Sequence, residues 1–136
     1  MITVLFACVA NAGRSQIAAA LFNQLADPTI ARAISAGTRP GEEVHPLVVE
    51  AMRELGIELK LARPRMLTPE IAASASLLVT MGCGDACPVV PGALREDWRL
   101  DDPKGQSLSV VRRIRDEIRE QVRHLIAARG WSRREA

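Results

Sequence analysis

A cysteine and an arginine stand six positions apart in the stretch Cys8–Ser15, CVANAGRS, where most of the residues between them are small. Such residues let the backbone curl so that several N–H groups converge on one point, which suits a tetrahedral oxyanion. Arg14 adds a permanently charged planar fork that matches two oxygens of such an anion. We therefore predict an oxyanion-binding loop made of Val9, Ala10, Asn11, Ala12, Gly13, Arg14 and Ser15.

Cys8 is the predicted nucleophile of this loop. Converging amides, a helix N-terminus and the guanidinium of Arg14 all favour a thiolate over a thiol, which makes a cysteine reactive at neutral pH. Ser15 is a candidate hydrogen-bond donor to that thiolate, and Asn11 is a candidate to hold the loop through hydrogen bonds with the backbone. The simpler alternatives are that Cys8 is a small buried hydrophobe and that Asn11 is an ordinary turn residue.

The elements on either side of the loop explain how it is positioned. The apolar run ITVLFACV (2–9) is typical of a strand buried on both faces of a parallel sheet. Apolar residues then recur at helical spacing from Ser15 to Leu25, with Ser15 placed to cap the helix and Asp27-Pro28 to end it. Open parallel sheets bind ligands beyond the carboxyl ends of their strands, so the loop lies at a favoured anion site.

Strands and helices alternate along the rest of the chain. We predict further strands in 30–37, 76–82 and 94–100, and helices in 45–56, around 70–73 and in 108–128. This alternation predicts an α/β fold, with a three-layer open parallel four-stranded sheet and flanking helices. We expect a single domain over residues 1–129 and a solvated basic tail over residues 130–136.

Composition and charge exclude several broad classes of protein. Hydrophobic residues make up 48% of the 136 residues and charged residues 25%, which is ordinary for a folded domain and argues against disorder. The net charge of +2 is too small to indicate a nucleic-acid partner. No apolar run reaches the roughly 18 residues that span a membrane, and the N-terminus lacks a basic secretory start, so we expect a cytoplasmic protein. In that compartment the three cysteines are expected to be reactive rather than structural.

The Cys-x5-Arg-Ser loop after the first strand resembles that of the low-molecular-weight protein tyrosine phosphatase fold, which also houses arsenate reductases with a thiol relay. A second feature is EDWRLDDPKG, in which Asp102-Pro103 matches the Asp-Pro of the family's general-acid loop. A third, TMGCGDACPVVPG, looks like the redox segment of the arsenate reductases and has no counterpart in the phosphatases. The resemblance covers nearly the whole chain and implies an arsenate reductase.

The resemblance also implies roles for individual residues. Arsenate would bind in the loop, the thiolate of Cys8 would attack arsenic, and Asp102, or Asp101 beside it, would protonate the departing oxygen. Cys83 would then attack the sulfur of Cys8, releasing arsenite, and Cys87 would convert the resulting disulfide into Cys83–Cys87. Thioredoxin would reduce that disulfide, so no tightly bound cofactor and no metal are implied.

The spacing of Cys83 and Cys87 leaves the reductant open. Three residues separate them in CGDAC, whereas the thioredoxin-coupled reductases have a longer spacer. The segment is similar to that of actinobacterial relatives, in which mycothiol attacks the arseno adduct and a mycoredoxin cleaves the mixed disulfide. An intramolecular relay and an external thiol are therefore both expected routes. The pair could also be ordinary loop residues or zinc ligands, although a fourth metal ligand is not evident.

Two other functions fit the same loop. With Cys8, Arg14 and Asp102, a low-molecular-weight phosphatase would hydrolyse small phosphomonoesters or phosphotyrosine through a phosphocysteine. The chain has no tyrosine, so Trp98 is the candidate to line the mouth against a phenyl ring, although packing is its simpler role. The third class is a non-enzymatic sensor of oxyanions or oxidants built on Cys8.

Two groups of arginines are candidate accessories to the site. Arg63 and Arg65 flank Pro64 in a loop that could steer the anion. A basic face on the last helix is expected to be a solvated surface or a surface for a reductase partner, and it consists of Arg112, Arg113, Arg115 and Arg119.

Overall fold

A computed structural model describes residues 1–82 and 93–133 of the chain. Within these residues the strands are β1 (Ile2–Cys8), β2 (Ala31–Gly37), β3 (Leu77–Thr80) and β4 (Leu94–Asp97). The helices are α1 (Arg14–Leu25), α2 (Pro46–Arg53), α3 (Pro69–Ala73) and α4 (Leu108–Arg129). Each predicted strand and helix is present, and the differences from the predictions lie at the ends of the elements.

The strands form one parallel sheet in the order β2-β1-β3-β4. β1 pairs with β2 along its whole length, and Cys8 at its end lies opposite Gly37. On the other side of β1, Ala7 lies opposite Thr80 of β3. Because all four strands run in the same direction, their carboxyl ends meet at one edge of the sheet, and Cys8 lies in the middle of that edge. The prediction of an α/β fold with a parallel four-stranded sheet is confirmed.

The core lies on both faces of β1, whose residues 4–8 are almost completely buried. Phe6 belongs to the larger cluster, together with Phe22 of α1 and Ile118 of α4. Residues of α2 belong to the same cluster, so three helices cover that face. Leu5 belongs to the smaller cluster on the other face, with Leu78 of β3 and a residue of α3. The continuous apolar run therefore has the cause expected of a central parallel strand, which is burial on both sides.

Helix α1 begins earlier than predicted, and the prediction of Ser15 as its cap is wrong. Gly13 is the N-cap residue and provides no side-chain hydrogen bond to the first turn. Ser15 lies inside that turn and is fully buried. The physical reason is that its hydroxyl group is engaged by the thiol of Cys8 instead of by the helix backbone. The first turn of α1 is thus a continuation of the loop that follows β1.

The segment after α4 differs from the predicted solvated tail. The carbonyl of Trp131 accepts a hydrogen bond of 2.8 Å from the Asp27 N–H, and Ser132 forms an antiparallel bridge with Ala26. The indole of Trp131 packs against Phe22 with ring centroids 6.0 Å apart. Backbone pairing and aromatic packing therefore hold residues 130–133 against the end of α1, beyond the boundary expected after residue 129.

Across the described ranges, no helix combines the length and the apolar character that a bilayer-spanning segment requires. The longest, α4, has 22 residues, and charged side chains cover the face that it turns away from the core.

Candidate active site

The loop between β1 and α1 is held from outside through its carbonyl groups. The backbone N–H of Thr38 donates to Cys8 O over 3.2 Å, and that of Arg39 donates to Val9 O over 2.8 Å. The N–H groups of Gly41 and His45 donate to Ala10 O and Ala12 O, each over 2.9 Å. In the described part of the chain, no hydrogen bond joins the N–H groups of Ala10, Ala12, Gly13 or Arg14 to another residue. The loop therefore uses its acceptors to hold its shape, and this arrangement of its N–H groups is compatible with the predicted oxyanion site.

Cys8 lies beneath this loop with 2% of its surface exposed. Its Sγ is 2.8 Å from the hydroxyl oxygen of Ser15 and 3.3 Å from the backbone nitrogen of Asn11. Hydrogen bonds to the sulfur favour the charged form of a thiol over the neutral form. The structure thus brings together Cys8, the predicted nucleophile, Ser15, the predicted donor to its thiolate, and Asn11, the residue predicted to hold the loop.

Asn11 sets the direction of the hydrogen bond between Ser15 and Cys8. The side-chain amide nitrogen of Asn11 donates to Ser15 Oγ over 2.7 Å. Since the hydroxyl of Ser15 has one proton and accepts from Asn11, that proton is directed at Cys8 Sγ. The backbone of Asn11 has a φ of 50°, in the left-handed region that asparagine tolerates better than most residues.

Arg14 and Asp102 lie together at the mouth of the loop. Arg14 Nη2 is 3.6 Å from Asp102 Oδ2, and Arg14 Nη1 donates to the carbonyl of Leu100 over 3.4 Å. The backbone N–H of Lys104 donates to Asp102 Oδ1 over 3.0 Å, which orients the carboxyl group. The guanidinium of Arg14 and the carboxyl group of Asp102, the predicted anion ligand and the predicted acid, therefore lie beside the loop that follows Cys8.

Asp101, the alternative acid, faces a different partner. Its Oδ2 is 3.1 Å from Arg113 of α4, and its side chain is 72% exposed. Arg113 also pairs with Glu117 over 2.8 Å, so it is shared between two carboxylates. Of the two neighbouring aspartates, Asp102 is the one that contacts Arg14.

Two glycines allow close contacts around the loop. A Cβ on Gly13 would lie 2.7 Å from Pro103 Cγ, so the segment with Asp102 packs directly on the anion loop. Gly82, just after β3, has a φ of 100° and lies so close to the Arg14 guanidinium that a side chain there would displace it. Gly13 is among the predicted loop residues, whereas Gly82 was not predicted as a site residue; its signal in the sequence is a glycine at the end of the strand predicted in 76–82.

Several other candidates lie outside the described residues or bind other groups. Cys83 and Cys87 fall in the range 83–92, outside the described residues. The guanidinium of Arg63 donates to the carbonyls of residues 60 and 62, and that of Arg65 donates to Ser35 O. Both side chains therefore bind backbone carbonyl groups. Within the described ranges, no three His, Cys, Asp or Glu side chains are arranged to hold a metal ion.

The aromatic side chains belong to the core rather than to the mouth of the site. Trp98 is 7% exposed, its ring lies 5.6 Å from that of Phe6, and its Nε1 donates to Glu96 over 3.2 Å. Phe22 of α1 packs against Trp131, which follows α4. Trp98 also borders a cleft of about 610 Å³, which is otherwise lined mainly by charged and polar residues. The prediction that Trp98 is a packing residue is confirmed.

Known proteins are similar to this chain in sequence and in fold over most of its length. The sequence profile of the family described as low molecular weight phosphotyrosine protein phosphatase matches residues 3–132. An arsenate reductase of Staphylococcus aureus (strain Newman) is 37% identical over 122 residues, which cover 86% of this chain and 90% of that protein. A glutaredoxin arsenate reductase of Synechocystis is 35% identical over 127 residues, 91% of this chain and 95% of that one. Among solved structures, a thioredoxin-dependent arsenate reductase of Corynebacterium glutamicum has a TM-score of 0.79 at 38% identity; the match covers 94% of this chain and 60% of that chain.

Proposed function

The chain belongs to the low molecular weight phosphotyrosine protein phosphatase family, and we propose that it acts as an arsenate reductase, which converts arsenate to arsenite. The observation that carries this proposal is that relatives named arsenate reductases are 35–37% identical to the chain over nearly their whole length. The thiol, the anion loop and the carboxyl group described above are the groups that the first step of this chemistry needs.

The surroundings of the site favour a small inorganic anion over a phosphorylated aromatic ring. The chain has two phenylalanines, two tryptophans and no tyrosine, and all four of those aromatic side chains pack in or against the core. The N–H groups of the loop and the guanidinium of Arg14 offer hydrogen bonds and positive charge, which suit a bare tetrahedral anion. Phosphate has the same shape as arsenate, so the reduction step, and not binding alone, distinguishes the two functions.

The first chemical step uses Cys8 and Asp102. The thiolate of Cys8 attacks arsenic, so a sulfur–arsenic bond forms while one arsenic–oxygen bond breaks. The N–H groups of the loop and the guanidinium of Arg14 stabilise the negative charge on the remaining oxygens. Asp102 gives its proton to the departing oxygen, which leaves as water. We assign this acid role to Asp102 rather than to Asp101 because Asp102 lies beside Arg14 at the mouth of the loop, whereas Asp101 faces Arg113 of α4.

The second step needs another thiol, which attacks the sulfur of Cys8. A sulfur–sulfur bond forms, the sulfur–arsenic bond breaks, and its electron pair stays on arsenic, which is reduced from As(V) to As(III) and leaves as arsenite. In the intramolecular route Cys83 is that thiol, and Cys87 then releases Cys8 by forming a Cys83–Cys87 disulfide that thioredoxin reduces. In the external route mycothiol attacks and a mycoredoxin cleaves the mixed disulfide. Relatives named for thioredoxin and glutaredoxin support a thiol reductant in general.

Two coupled assays test this function and the source of the second thiol. One contains thioredoxin, thioredoxin reductase and NADPH; the other contains mycothiol, mycoredoxin, mycothiol disulfide reductase and NADPH. Sustained arsenate-dependent NADPH oxidation in the first, lost in Cys87→Ser, supports the relay, whereas activity in the second alone assigns the attack to mycothiol. If neither assay shows arsenate-dependent NADPH oxidation and the protein hydrolyses p-nitrophenyl phosphate efficiently, the protein is a phosphatase and not an arsenate reductase.

A further inference from the structure

Gln16, in the first turn of α1, makes a group of hydrogen bonds that the chemistry above does not use. Its Nε2 lies 3.1 Å from Asn11 O, 3.2 Å from Asn11 Oδ1 and 3.3 Å from Arg63 O, and the residue is 7% exposed. We propose that Gln16 is a positioning residue, which fixes the amide of Asn11 and thereby directs the proton of Ser15 at the sulfur of Cys8.

Two donors set the orientation of the side-chain amide of Asn11. Asn11 Oδ1 accepts from Gln16 Nε2 and, over 3.0 Å, from the backbone N–H of Arg65. Both of these groups are donors, so the oxygen of the amide faces them and the nitrogen faces Ser15. With the amide turned over, Asn11 Oδ1 would face Ser15 and accept its proton, and Cys8 would lose a hydrogen-bond donor.

Gln16 contributes more to this orientation than a single bond. One amide group contacts both the main-chain and the side-chain oxygen of Asn11, the residue with the left-handed backbone. It also contacts the carbonyl of Arg63, in the segment that supplies the N–H of Arg65. Asn11 is completely buried, so an oxygen that loses a partner there is costly to leave unpaired. Gln16 therefore joins α1, the anion loop and the 63–65 segment at one point.

Ultraviolet absorbance of the thiolate tests this role directly. The 136-residue chain is prepared with Cys83→Ser and Cys87→Ser, so that Cys8 is the thiol observed, and its absorbance is followed against pH. We expect Gln16→Met, which keeps the volume of the side chain, to raise the half-titration pH by about 0.5 to 1 unit, the size expected for the loss of one hydrogen bond. Ser15→Ala is expected to cause a shift at least as large, and the double variant no more than Ser15→Ala alone.

Asn23 supplies the matched control on the same helix. Its side chain also makes two hydrogen bonds with backbone, to Ala33 over 3.0 and 2.8 Å, but these hold β2 and not the anion loop. We therefore expect Asn23→Ala to leave the half-titration pH unchanged, even if it lowers the thermal midpoint. If loss of stability were the cause, the half-titration pH would shift in both Asn23→Ala and Gln16→Met. The proposed role predicts a shift in the half-titration pH of Gln16→Met only.

An unchanged half-titration pH in a folded Gln16→Met protein would overturn the proposal. Shifts that simply add in the double variant would also overturn it, because Gln16 would then act independently of Ser15. If Gln16→Met fails to fold, Gln16→Leu provides the same comparison. The inference rests on the proposed role of Cys8 as the attacking thiolate. The titration uses no arsenate, so a failure of arsenate reduction would be visible separately from a failure of this proposal.

Discussion

Asp101 and Asp102 are neighbours in sequence with the same side chain, and their partners give them different chemistry. Asp102 lies beside Arg14, and Asp101 pairs with Arg113. We expect Asp102→Asn to lower kcat for arsenate by about 100-fold, as the loss of a general acid does, with a small change in KM. Asp101→Asn, the matched control, is expected to stay close to the unchanged protein. Steady-state kinetics of both variants check this, and a larger loss in Asp101→Asn would assign the acid to Asp101.

The residues of the site differ in how far the sequence predicts them. Cys8 and Arg14 can be proposed as site residues from their types and spacing, because the loop that they share is local in the chain. The choice between Asp101 and Asp102 is not local, since it depends on which arginine each carboxylate meets after the chain has folded. The role of Gln16 is not predictable from local sequence either, because it depends on a contact with Arg63, 47 positions away.

At the scale of elements, the anion loop and the segment with Asp102 are packed against each other at Gly13. A Cβ at this position would overlap Pro103, so we expect Gly13→Ala to push Asp102 away from the loop. A displacement of about 1 Å costs roughly 100-fold in rate when the displaced group acts in the reaction. We expect this loss in kcat for Gly13→Ala, with inhibition by phosphate changed much less, because the N–H groups that bind the anion remain.

Gly41 is the matched control for this substitution. It also lies against the anion loop, but a Cβ there would come no closer than 3.8 Å to another atom, which is an ordinary contact. Gly41→Ala is therefore expected to keep its kcat. Equal losses in Gly13→Ala and Gly41→Ala would contradict the packing account.

The periodicity of apolar residues predicted the strands and helices, and the errors arose where a side chain serves another element. Ser15 has the residue type of a helix cap, but the thiol at the end of β1 engages its hydroxyl group. The residues after Arg129 look like a charged tail, but backbone pairing with residues 26–27 holds them. Sequence pattern reports the local preference of a segment, and these two contacts are made between segments.

At the scale of the whole molecule, Glu54 links the end of α2 to α4. Hydrogen bonds from Arg112 and then Arg115 lower the pKa of Glu54 to about 2, from its ordinary value of 4.5. In the unfolded chain the carboxyl group binds its proton near the ordinary value, so the link stabilises the fold fully above about pH 4.5. Its contribution is lost as the pH falls toward 2. We expect Glu54→Gln to lower the thermal midpoint at pH 7 and to reduce the loss of stability between pH 4.5 and 2.

Glu120 serves as the control for this acid dependence. It pairs with Arg123 within the same helix, on the surface, so it joins no two elements. Exposed pairs of this kind contribute little, and we expect Glu120→Gln to keep the thermal midpoint and its pH dependence. Thermal unfolding of the three proteins across the acid range measures both effects. If Glu54→Gln and Glu120→Gln have the same thermal midpoint and the same pH dependence, the link between α2 and α4 does not stabilise the fold more than an exposed pair does.

Substitution of Trp131 tests whether residues 130–133 are part of the folded domain. It packs on Phe22, and the guanidinium of Arg129 lies 5.7 Å from its ring centroid. Loss of this half-buried indole in Trp131→Ala is expected to cost about 2 kcal/mol of unfolding free energy, from the apolar area that is no longer buried. Ser132→Ala, which keeps the backbone bridge, is expected to cost much less. Urea unfolding of both variants measures the difference, and an unchanged Trp131→Ala protein would support a solvated tail.

Arsenite formation distinguishes an arsenate reductase from a phosphatase and from a sensor. The protein is incubated with arsenate and a thiol reductant, arsenite is separated from arsenate and counted per protein molecule, and Cys8→Ser is run beside it. We predict many equivalents of arsenite per protein, and none with Cys8→Ser. No arsenite with any thiol, together with Cys8-dependent hydrolysis of a phosphomonoester, would contradict the account in favour of a phosphatase. A reaction that stops after one equivalent would contradict it in favour of a sensor.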